Sequence, residues 1–272
     1  MPDSLVTYDT DGRVSVVTLN RPEKLNAISG ELMRELVAAL KQAEDDAATS
    51  VVVLRGEGRS FCVGYDVGGG FELGGRWQDP ALNWYDELKR ALDLELMPWQ
   101  LAKPVVASVQ GYVLGGGCEL SLFCDLTIAA DDAKFGEPEI RFSNSGPGFV
   151  LPWIVGPKRA REMLYFGDMI DAEKALEIGM INRIVPRDKL VEETLRYARR
   201  LAMVDAEALV MTKRSINRGL DAAGFRRAME AGLDTIAPLY AAKTEYGQEF
   251  MAIAGRDGLG AALKWRAAHF KT

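Results

Sequence analysis

The chain has 272 residues, with 39 acidic against 33 basic side chains and a formal net charge of -6 at pH 7. Because nucleic-acid binding needs a basic face that neutralises phosphates, this balance argues against DNA or RNA as the main ligand. No stretch approaches a membrane-spanning length of apolar residues, and the N-terminal sequence lacks a signal-peptide pattern, so we predict a cytoplasmic protein with no membrane partner.

Few side chains suit nucleophilic or metal chemistry. Cys62, Cys118 and Cys124 lie in apolar segments without the spacing of zinc ligands, which favours reduced core thiols. Cys118 stands beside a predicted helix start and is, as the alternative, a candidate low-pKa nucleophile. The single histidine, His269, lies near the C-terminus and is expected to be exposed. Catalytic triads and histidine-ligated metals therefore gain no support, and we expect no metal site.

Apolar periodicity predicts alternating strands and helices in the first 200 residues. The predicted strands are 5–8 and 14–19, joined by a turn at Asp11-Gly12, and then 50–54, 105–109, 126–130 and 182–185. One predicted helix is capped by Ser29, and others cover 82–92, 118–124, 158–166 and 172–178, with a loop at 140–148. Only helices are predicted beyond, at 190–203, 206–218 and 225–240. We expect an α/β core over residues 1–200 and a helical region over 201–272.

The stretch 103–139 carries most of the chemistry. Gly115, Gly116 and Gly117 follow a buried strand and open a helix, and Glu119 lies just beyond them in an apolar segment. Backbone N–H groups at such glycines can bind a developing oxyanion, and the carboxyl groups of Glu119 and Glu139 can move protons beside it. The alternative is that Glu119 complements the helix dipole and Glu139 is a solvated loop acid.

The chain has a second glycine cluster at positions 68, 69, 70, 74 and 75. Neither cluster follows a strand with the G-x-G-x-x-G spacing, so a dinucleotide-binding fold is not expected. The segment is predicted to be either a plain surface loop or a loop that gates substrate access.

Four segments together resemble the crotonase superfamily, the enoyl-CoA hydratase/isomerase family, over nearly the whole chain. They are NRPEKLNAIS (20–29), GRSFCVGYDV (58–67), KPVVASVQGYVLGGGCELSLFCDLTIAADDAKFGEPEI (103–140) and GDMIDAEKALEIGMINRIVP (167–186). The resemblance implies a ClpP/crotonase-like α/β fold, a spiral of ββα turns. It also implies a C-terminal helical region that covers the active site and builds trimers, commonly paired into hexamers. The implied substrate is an acyl-CoA thioester, and no separate cofactor is expected.

The resemblance also assigns residues. The N–H groups of Tyr65 and Gly116 would form the oxyanion hole. The substrate-binding residues would be Glu23, Lys24, Leu25 and Ala27, against the adenine end of CoA, together with Gly64, Asp66, Val67 and Gly115. Candidate phosphate partners, with plain solvated charges as the alternative, are Arg21, Lys24, Arg55 and Lys103.

The two acids favour a hydratase within this family. In hydratases both positions are Glu: Glu119 would be the base on a water molecule, and Glu139 the acid that delivers a proton to the α-carbon. Two departures keep other acyl-CoA reactions open as alternatives. One is the loop 143–149, which is shortened within FSNSGPGFVLPWIVG (142–156), and the other is Tyr65, where many hydratases have Ala. The further alternatives are an enoyl-CoA isomerase, a hydratase or dehydratase of a functionalised acyl group, C–C cleavage, and a non-catalytic acyl-CoA binder.

Overall fold

The computed structural model describes residues 4–67, 75–146 and 149–270. Within these ranges the strands are β1 (Val6–Asp11), β2 (Val14–Leu19), β3 (Val51–Gly56), β4 (Val105–Val109), β5 (Tyr112–Leu114), β6 (Leu126–Ala130), β7 (Lys134–Gly136), β8 (Ile170–Asp171) and β9 (Arg183–Val185). The helices are α1 (Gly30–Asp45), α2 (Pro80–Glu95), α3 (Met97–Gln100), α4 (Gly116–Leu122), α5 (Leu151–Phe166), α6 (Ala172–Glu177), α7 (Leu190–Leu201), α8 (Ala206–Ala222), α9 (Phe225–Ala241), α10 (Glu245–Asp257) and α11 (Leu259–His269).

The strands form two sheets. The larger has the order β1-β2-β3-β4-β6-β9, in which β1 is antiparallel to β2 and the other pairs are parallel. Parallel neighbours need crossover connections, which α1 supplies between β2 and β3, and α2 and α3 between β3 and β4. The smaller sheet has the order β5-β7-β8. From β4 onward, successive turns of chain place one strand in each sheet, as β4 and β5, then β6 and β7, then β8 and β9 show. This is the spiral α/β arrangement expected from the sequence.

The core follows the apolar pattern of the sequence. Ser29 caps α1 by accepting a hydrogen bond from the Leu32 N–H, and the predicted stripe of Leu32, Leu36 and Leu40 is fully buried. All three cysteines are free and buried, as predicted. Burial raises the pKa of the Cys118 thiol well above its usual value, so the alternative of a low-pKa nucleophile is wrong.

Several element boundaries differ from the prediction. Helix α4 begins at Gly116, two residues before the predicted start, because the glycines themselves form its first turn. Helix α5 begins at Leu151, and a kink at Gly156, which has φ +78°, separates its first turn from the predicted segment 158–166. The predicted loop 140–148 begins inside the 3-10 helix Pro138–Phe142, and its residues 147–148 lie outside the described ranges.

The C-terminal part is helical, as predicted, and extends through α10 and α11, which were not predicted individually. Helix α9 packs on α2. Helix α8 is fixed to the core by Lys213, whose Nζ donates to Asp125 Oδ2 at 2.7 Å and to Pro98 O at 2.7 Å. His269 is exposed, as expected. The domain boundary near residue 200 stays a prediction.

Two further sequence predictions concern the glycine-rich segment and the membrane. The candidate gating loop at 68–75 lies outside the described residues except for Gly75. Among the helices of the described ranges, none combines the length and apolar character that crossing a bilayer requires.

Candidate active site

Helix α4 begins directly at the glycine triplet. Gly115 precedes the helix with φ +52°, a conformation that favours glycine, and its N–H donates to Gly136 O at 2.9 Å. Gly116 and Gly117 are the first two helical residues, so their N–H groups have no acceptor within the helix. Such fixed backbone donors can stabilise a negative charge that develops on a substrate oxygen.

The Gly64-Tyr65 turn lies against the same helix start. Ile28 donates to Gly64 O at 2.8 Å and accepts from Asp66 N at 3.0 Å. These two hydrogen bonds form an isolated parallel β-bridge between Ile28 and Tyr65. In this geometry the Tyr65 N–H points away from Ile28. A Cβ built on Gly64 would lie 3.3 Å from the Gly116 nitrogen. The two predicted oxyanion donors, Tyr65 and Gly116, therefore border one space.

Glu119 and Glu139 come together at this helix start. Glu119 lies one turn into α4 and is 2% exposed. Glu139 belongs to the 3-10 helix Pro138–Phe142, and its Oε1 occupies the space that a Cβ on Gly115 would fill. A Cβ on Gly146 would lie 2.9 Å from Glu119 Oε1. The carboxyl groups thus approach the backbone closely where glycine leaves room for them.

Two more buried glutamates, which the sequence analysis missed, join the cluster. Glu95, at the end of α2, is fully buried, and its Oε1 accepts a hydrogen bond from the Tyr65 hydroxyl at 2.9 Å. Glu137 is 2% exposed, and its Oε2 would lie 3.4 Å from a Cβ on Gly146. Four carboxyl groups from α2, α4 and the segment after β7 therefore form one buried cluster at the start of α4.

Burial governs the electrostatics of these acids. It raises the pKa of Glu95 to about 8, against the opposing effect of hydrogen bonds with Tyr65 and Glu119. Burial likewise raises the pKa of Glu139 to about 7. Burial and the charge of Glu139 together raise the pKa of Glu137 well above its usual value. Carboxyl groups with such pKa values can hold and release protons near neutral pH.

Helix α9 contributes a tyrosine to the cluster. The Tyr240 hydroxyl donates to Ser145 O at 3.0 Å, and the Tyr240 ring centroid lies 5.0 Å from that of Trp84 on α2. Burial raises the pKa of Tyr240 well above its usual value, and the charge of Glu139 is the next largest cause. The C-terminal helical region thus meets the acid cluster from one side through this residue.

The segment predicted to contact CoA, residues 23–27, begins inside the 3-10 helix Pro22–Lys24. The buried Asn26 holds it in place, because its Nδ2 donates to the carbonyl oxygens of Glu57, Ser60 and Phe61. An ion pair of 2.8 Å joins Arg21 to Asp66. These contacts bring two predicted groups of substrate-binding residues side by side, namely Glu23, Lys24, Leu25 and Ala27 in one group and Gly64, Asp66 and Val67 in the other.

The candidate phosphate partners have different surroundings. Lys24 is exposed, and Arg55 forms an ion pair with Glu57. Lys103 donates from Nζ to two carbonyl oxygens at the C-terminal end of α1, at 2.6 and 2.7 Å, those of Ala43 and Asp46. It thereby satisfies backbone acceptors at the helix end and is not a plain solvated charge. Its assignment as a phosphate partner stays a prediction.

The sequence contains partial evidence for the residues that were not predicted, Glu95, Glu137 and Tyr240. Glu95 stands three residues after Leu92 and seven after Leu88, so helical spacing places it on the apolar face of α2. Glu137 precedes Glu139 by two positions in the same short segment. Tyr240 is one of several aromatic residues in the helical region, and only the packing of α9 on α2 singles it out.

Comparisons with known proteins agree with this architecture. A family model described as enoyl-CoA hydratase/isomerase matches residues 9–243. A probable enoyl-CoA hydratase of Rhizobium meliloti is 37% identical over 218 residues, which cover 78% of this chain and 81% of the relative. The probable enoyl-CoA hydratase echA8 of Mycobacterium bovis is 31% identical over 276 residues, or 97% of this chain and 99% of the relative.

Solved structures of enoyl-CoA hydratases have the same fold as this chain. The crystal structure of an enoyl-CoA hydratase/isomerase from Xanthobacter autotrophicus Py2 has a TM-score of 0.91 and 40% identity, and the match covers 99% of both chains. An enoyl-CoA hydratase from Mycobacterium smegmatis has a TM-score of 0.87 and 30% identity over 96% of this chain and 92% of that one. The predicted fold class is thereby confirmed, and the chain belongs to the enoyl-CoA hydratase/isomerase family, the crotonase superfamily.

Proposed function

We propose that the protein is an enoyl-CoA hydratase, which adds water across the double bond of a trans-2-enoyl-CoA thioester. The observation that carries the proposal is the convergence of Glu119 and Glu139 at the start of α4, beside the backbone amides of Tyr65 and Gly116. The names of the relatives, probable enoyl-CoA hydratases, support the same reaction class.

Each group then has a chemical role. The Tyr65 and Gly116 N–H groups bind the thioester oxygen and stabilise the negative charge that develops there, an effect typically worth about 3–4 kcal/mol per donor. Glu119 removes a proton from the water that attacks the β-carbon. Glu139, whose pKa near 7 leaves it partly protonated at neutral pH, delivers a proton to the α-carbon on the same face.

The remaining functional assignments belong to the same proposal. CoA enters as part of the substrate and lies against Glu23, Lys24, Leu25 and Ala27, and no separate cofactor takes part. The protein is cytoplasmic and forms a homotrimer or a dimer of trimers through its helical region. Light scattering tests this assembly, since the particle mass should be three or six times the 29.9 kDa of one chain.

One observation favours a second candidate reaction, the shift of a double bond between carbons of the acyl chain. The site holds two further carboxyl groups, Glu95 and Glu137, beyond the pair that hydration needs. An isomerase moves a proton between two carbons, and an additional acid near the acyl chain can serve that transfer.

The ultraviolet absorbance of the conjugated enoyl thioester separates the two reactions. Hydration of crotonyl-CoA and longer trans-2-enoyl-CoA esters removes this absorbance, whereas isomerisation of a 3-enoyl-CoA ester creates it. We expect loss of absorbance with the 2-enoyl esters. A gain with 3-enoyl esters, with no reaction of 2-enoyl esters at any chain length, would replace the hydratase by the isomerase.

A further inference from the structure

The proposed base, Glu119, has a second buried carboxyl group as its neighbour. Glu95, at the C-terminal end of α2, is fully buried, and a hydrogen bond joins its carboxyl group to that of Glu119. Helix α2 packs on α4, and a Cβ built on Gly116 would lie 3.1 Å from Glu95 Oε1. The packing of the two helices therefore fixes Glu95 at the first turn of α4, beside the base.

Tyr65 holds the carboxyl group of Glu95 in turn. The Tyr65 hydroxyl donates to Glu95 Oε1 at 2.9 Å, and the Tyr65 ring fills the space above Gly116. Hydrogen bonds thus connect Tyr65 to Glu95 and Glu95 to Glu119. This chain links the loop that carries one oxyanion donor to the group that acts on water.

A hydrogen bond between two carboxyl groups depends on how many protons they hold. Two carboxylates have no donor and repel each other, so the bond stabilises the pair when it carries one proton. The pair therefore loses the first of its two protons more easily than a lone buried acid would. Burial raises the pKa of Glu95 to about 8, so the remaining proton can reside on Glu95 at neutral pH while Glu119 is ionised.

We propose that Glu95 is a positioning residue for the base: it shares one proton with Glu119 and thereby keeps Glu119 oriented and ionised for the activation of water. The proposal rests on the proposed function, because hydration is the reaction in which Glu119 acts as the base. During hydration one water proton moves to Glu119, the water oxygen bonds to the β-carbon, and Glu139 gives its proton to the α-carbon. The pair then holds two protons, and the cycle closes when one of them returns to Glu139.

The pH profile of hydration reports on this pair. Since the base must be ionised, kcat/KM rises with pH as the pair loses its first proton, which forms the acidic limb of the profile. It then falls as the pH rises through about 7, where Glu139 loses the proton that it must deliver.

Other titratable groups face the pair from each neighbouring element. They are Cys62 and Tyr65 after β3, Cys118 on α4, Glu137 and Glu139 after β7, and Tyr240 on α9. Burial raises the pKa values of the cysteines, the tyrosines and Glu137 above their usual values, so these groups stay protonated over the acidic limb.

Two substitutions of Glu95 test its role. Glu95→Leu removes the hydrogen bond to Glu119, and losing such a bond raises the pKa of an ionised carboxylate by about one unit. We expect the acidic limb of this variant to move about one pH unit higher and kcat to fall about 10- to 100-fold, with the affinity for an unreactive CoA ester unchanged. Glu95→Gln should keep the wild-type limb and most of kcat, because the amide still accepts from Tyr65 and donates to Glu119.

A matched control and a second variant come from neighbouring residues. Glu87 is also a buried glutamate of α2, but it pairs with Arg90, so Glu87→Leu should leave the acidic limb in place even where it lowers stability. Thermal unfolding identifies variants that do not fold. Should Glu95→Leu be one of them, Tyr65→Phe carries the test: it loosens Glu95 and keeps the N–H of the oxyanion hole, and the acidic limb should move in the same direction by a smaller amount.

Urea unfolding tests the pair without relying on turnover. The variants are Glu95→Leu, Glu119→Leu and the double variant. Removing one carboxyl group leaves the other without this hydrogen bond, whereas removing both leaves no such loss. The unfolding midpoint of the double variant should therefore fall by less than the sum of the two single decreases.

Either of two results would overturn the proposal. One is an acidic limb that stays in place in Glu95→Leu or moves to lower pH, since a move to lower pH would mean that Glu95 acts on Glu119 as a like charge. The other is additive urea midpoints. The failure of the hydratase proposal looks different: the wild type then leaves 2-enoyl esters unhydrated while the midpoints stay non-additive, and the positioning role falls with the reaction that it serves.

Discussion

At the scale of single residues, the site depends on carboxyl groups held away from water. Burial is the largest cause of the raised pKa values of Glu95, Glu137 and Glu139. A solvated glutamate would be ionised at pH 7 and could not act as a general acid. The same burial that costs folding free energy therefore makes Glu139 suitable to deliver a proton.

The charge of Arg266 gives a way to test the role of Glu139. Arg266 lies on α11 with its guanidinium 4.2 Å from the centre of the Phe142 ring, and its charge lowers the pKa of Glu139. Because the acid must be protonated, hydration should decline as the pH rises through about 7. Arg266→Met should raise the pKa of Glu139 and shift this decline to higher pH in a pH profile of kcat/KM.

The control for this shift is Arg256→Met on α10. Arg256 is exposed and pairs with Asp257, so its removal should leave the pH profile in place. A profile that does not move in Arg266→Met would argue against Glu139 as the titrating acid.

Sequence alone identified part of the acid cluster. Glu119 and Glu139 were identified by their place beside a glycine-rich helix start, and motifs shared with a known family then supported the pair. Glu95 belongs to the crossover helix α2, and only the packing of α2 against the start of α4 makes its carboxyl group part of the site. Helical spacing predicts that such a residue is buried, but it does not predict which neighbours it meets.

At the scale of elements, the turn from β5 into α4 sets the distance between backbone and acids. Gly115 combines a positive φ of 52° with a missing side chain whose space Glu139 Oε1 occupies. A sequence reading of the triplet correctly indicates close backbone approach. Only the folded structure shows that the group lying against this backbone is the carboxyl side chain of Glu139.

Gly115→Ala should therefore affect both stability and catalysis. Gly115 has φ +52° and ψ -131°, a conformation that residues with a Cβ rarely adopt and that costs them about 1–3 kcal/mol, and the added methyl group displaces Glu139. We expect the rate of hydration to fall about 100-fold, as for a misplaced catalytic group. Enzyme assays and urea unfolding measure the two effects separately.

The Gly12→Ala variant separates the effect of backbone strain from the effect of displacing Glu139. Gly12 also has a positive φ, 59°, in the β1–β2 turn, and a Cβ there would meet nothing within 4 Å. This variant should lose stability through backbone strain alone but keep full activity. Equal activity losses in both variants would mean that strain alone, and not the displaced Glu139, explains the effect.

The element predictions succeeded where periodicity was strong and failed where it was short or interrupted. The predicted 105–109 and 126–130 match β4 and β6, since both are buried apolar runs. Strands β5, β7 and β8 have two or three residues each, too few to show alternation. The first turn of α5 was not predicted, because the kink at Gly156 interrupts the helical periodicity.

At the scale of the whole molecule, the buried acids link stability to pH. A folded-state pKa near 8 for Glu95, above the ordinary value of 4.5, means that the folded protein binds this proton more tightly than the unfolded chain does. The contribution of that proton to stability is complete below about pH 4.5 and is lost as the pH rises towards 8.

Glu95→Gln should remove this pH dependence, because an amide does not titrate. Compared with the wild type, the variant should gain thermal stability as the pH rises from about 5 to about 8, and the gain should level off above that range. Thermal unfolding followed by circular dichroism measures the difference. Glu193→Gln is the control: the hydrogen bond from Arg196 lowers the pKa of Glu193, which stays ionised throughout. Parallel stability curves for wild type and Glu95→Gln would contradict a buried, titrating Glu95.

The most direct test of the central claim, that Glu119 and Glu139 together carry out hydration, is the turnover of a trans-2-enoyl-CoA ester by Glu119→Gln and by Glu139→Gln. Each variant should lose about 10²- to 10⁴-fold in rate, because general acid–base catalysis typically contributes that much, while the affinity for an unreactive CoA ester is kept. Glu177→Gln, a change at an exposed glutamate of α6, should react like the wild type. Wild-type rates in either acid variant would contradict the account.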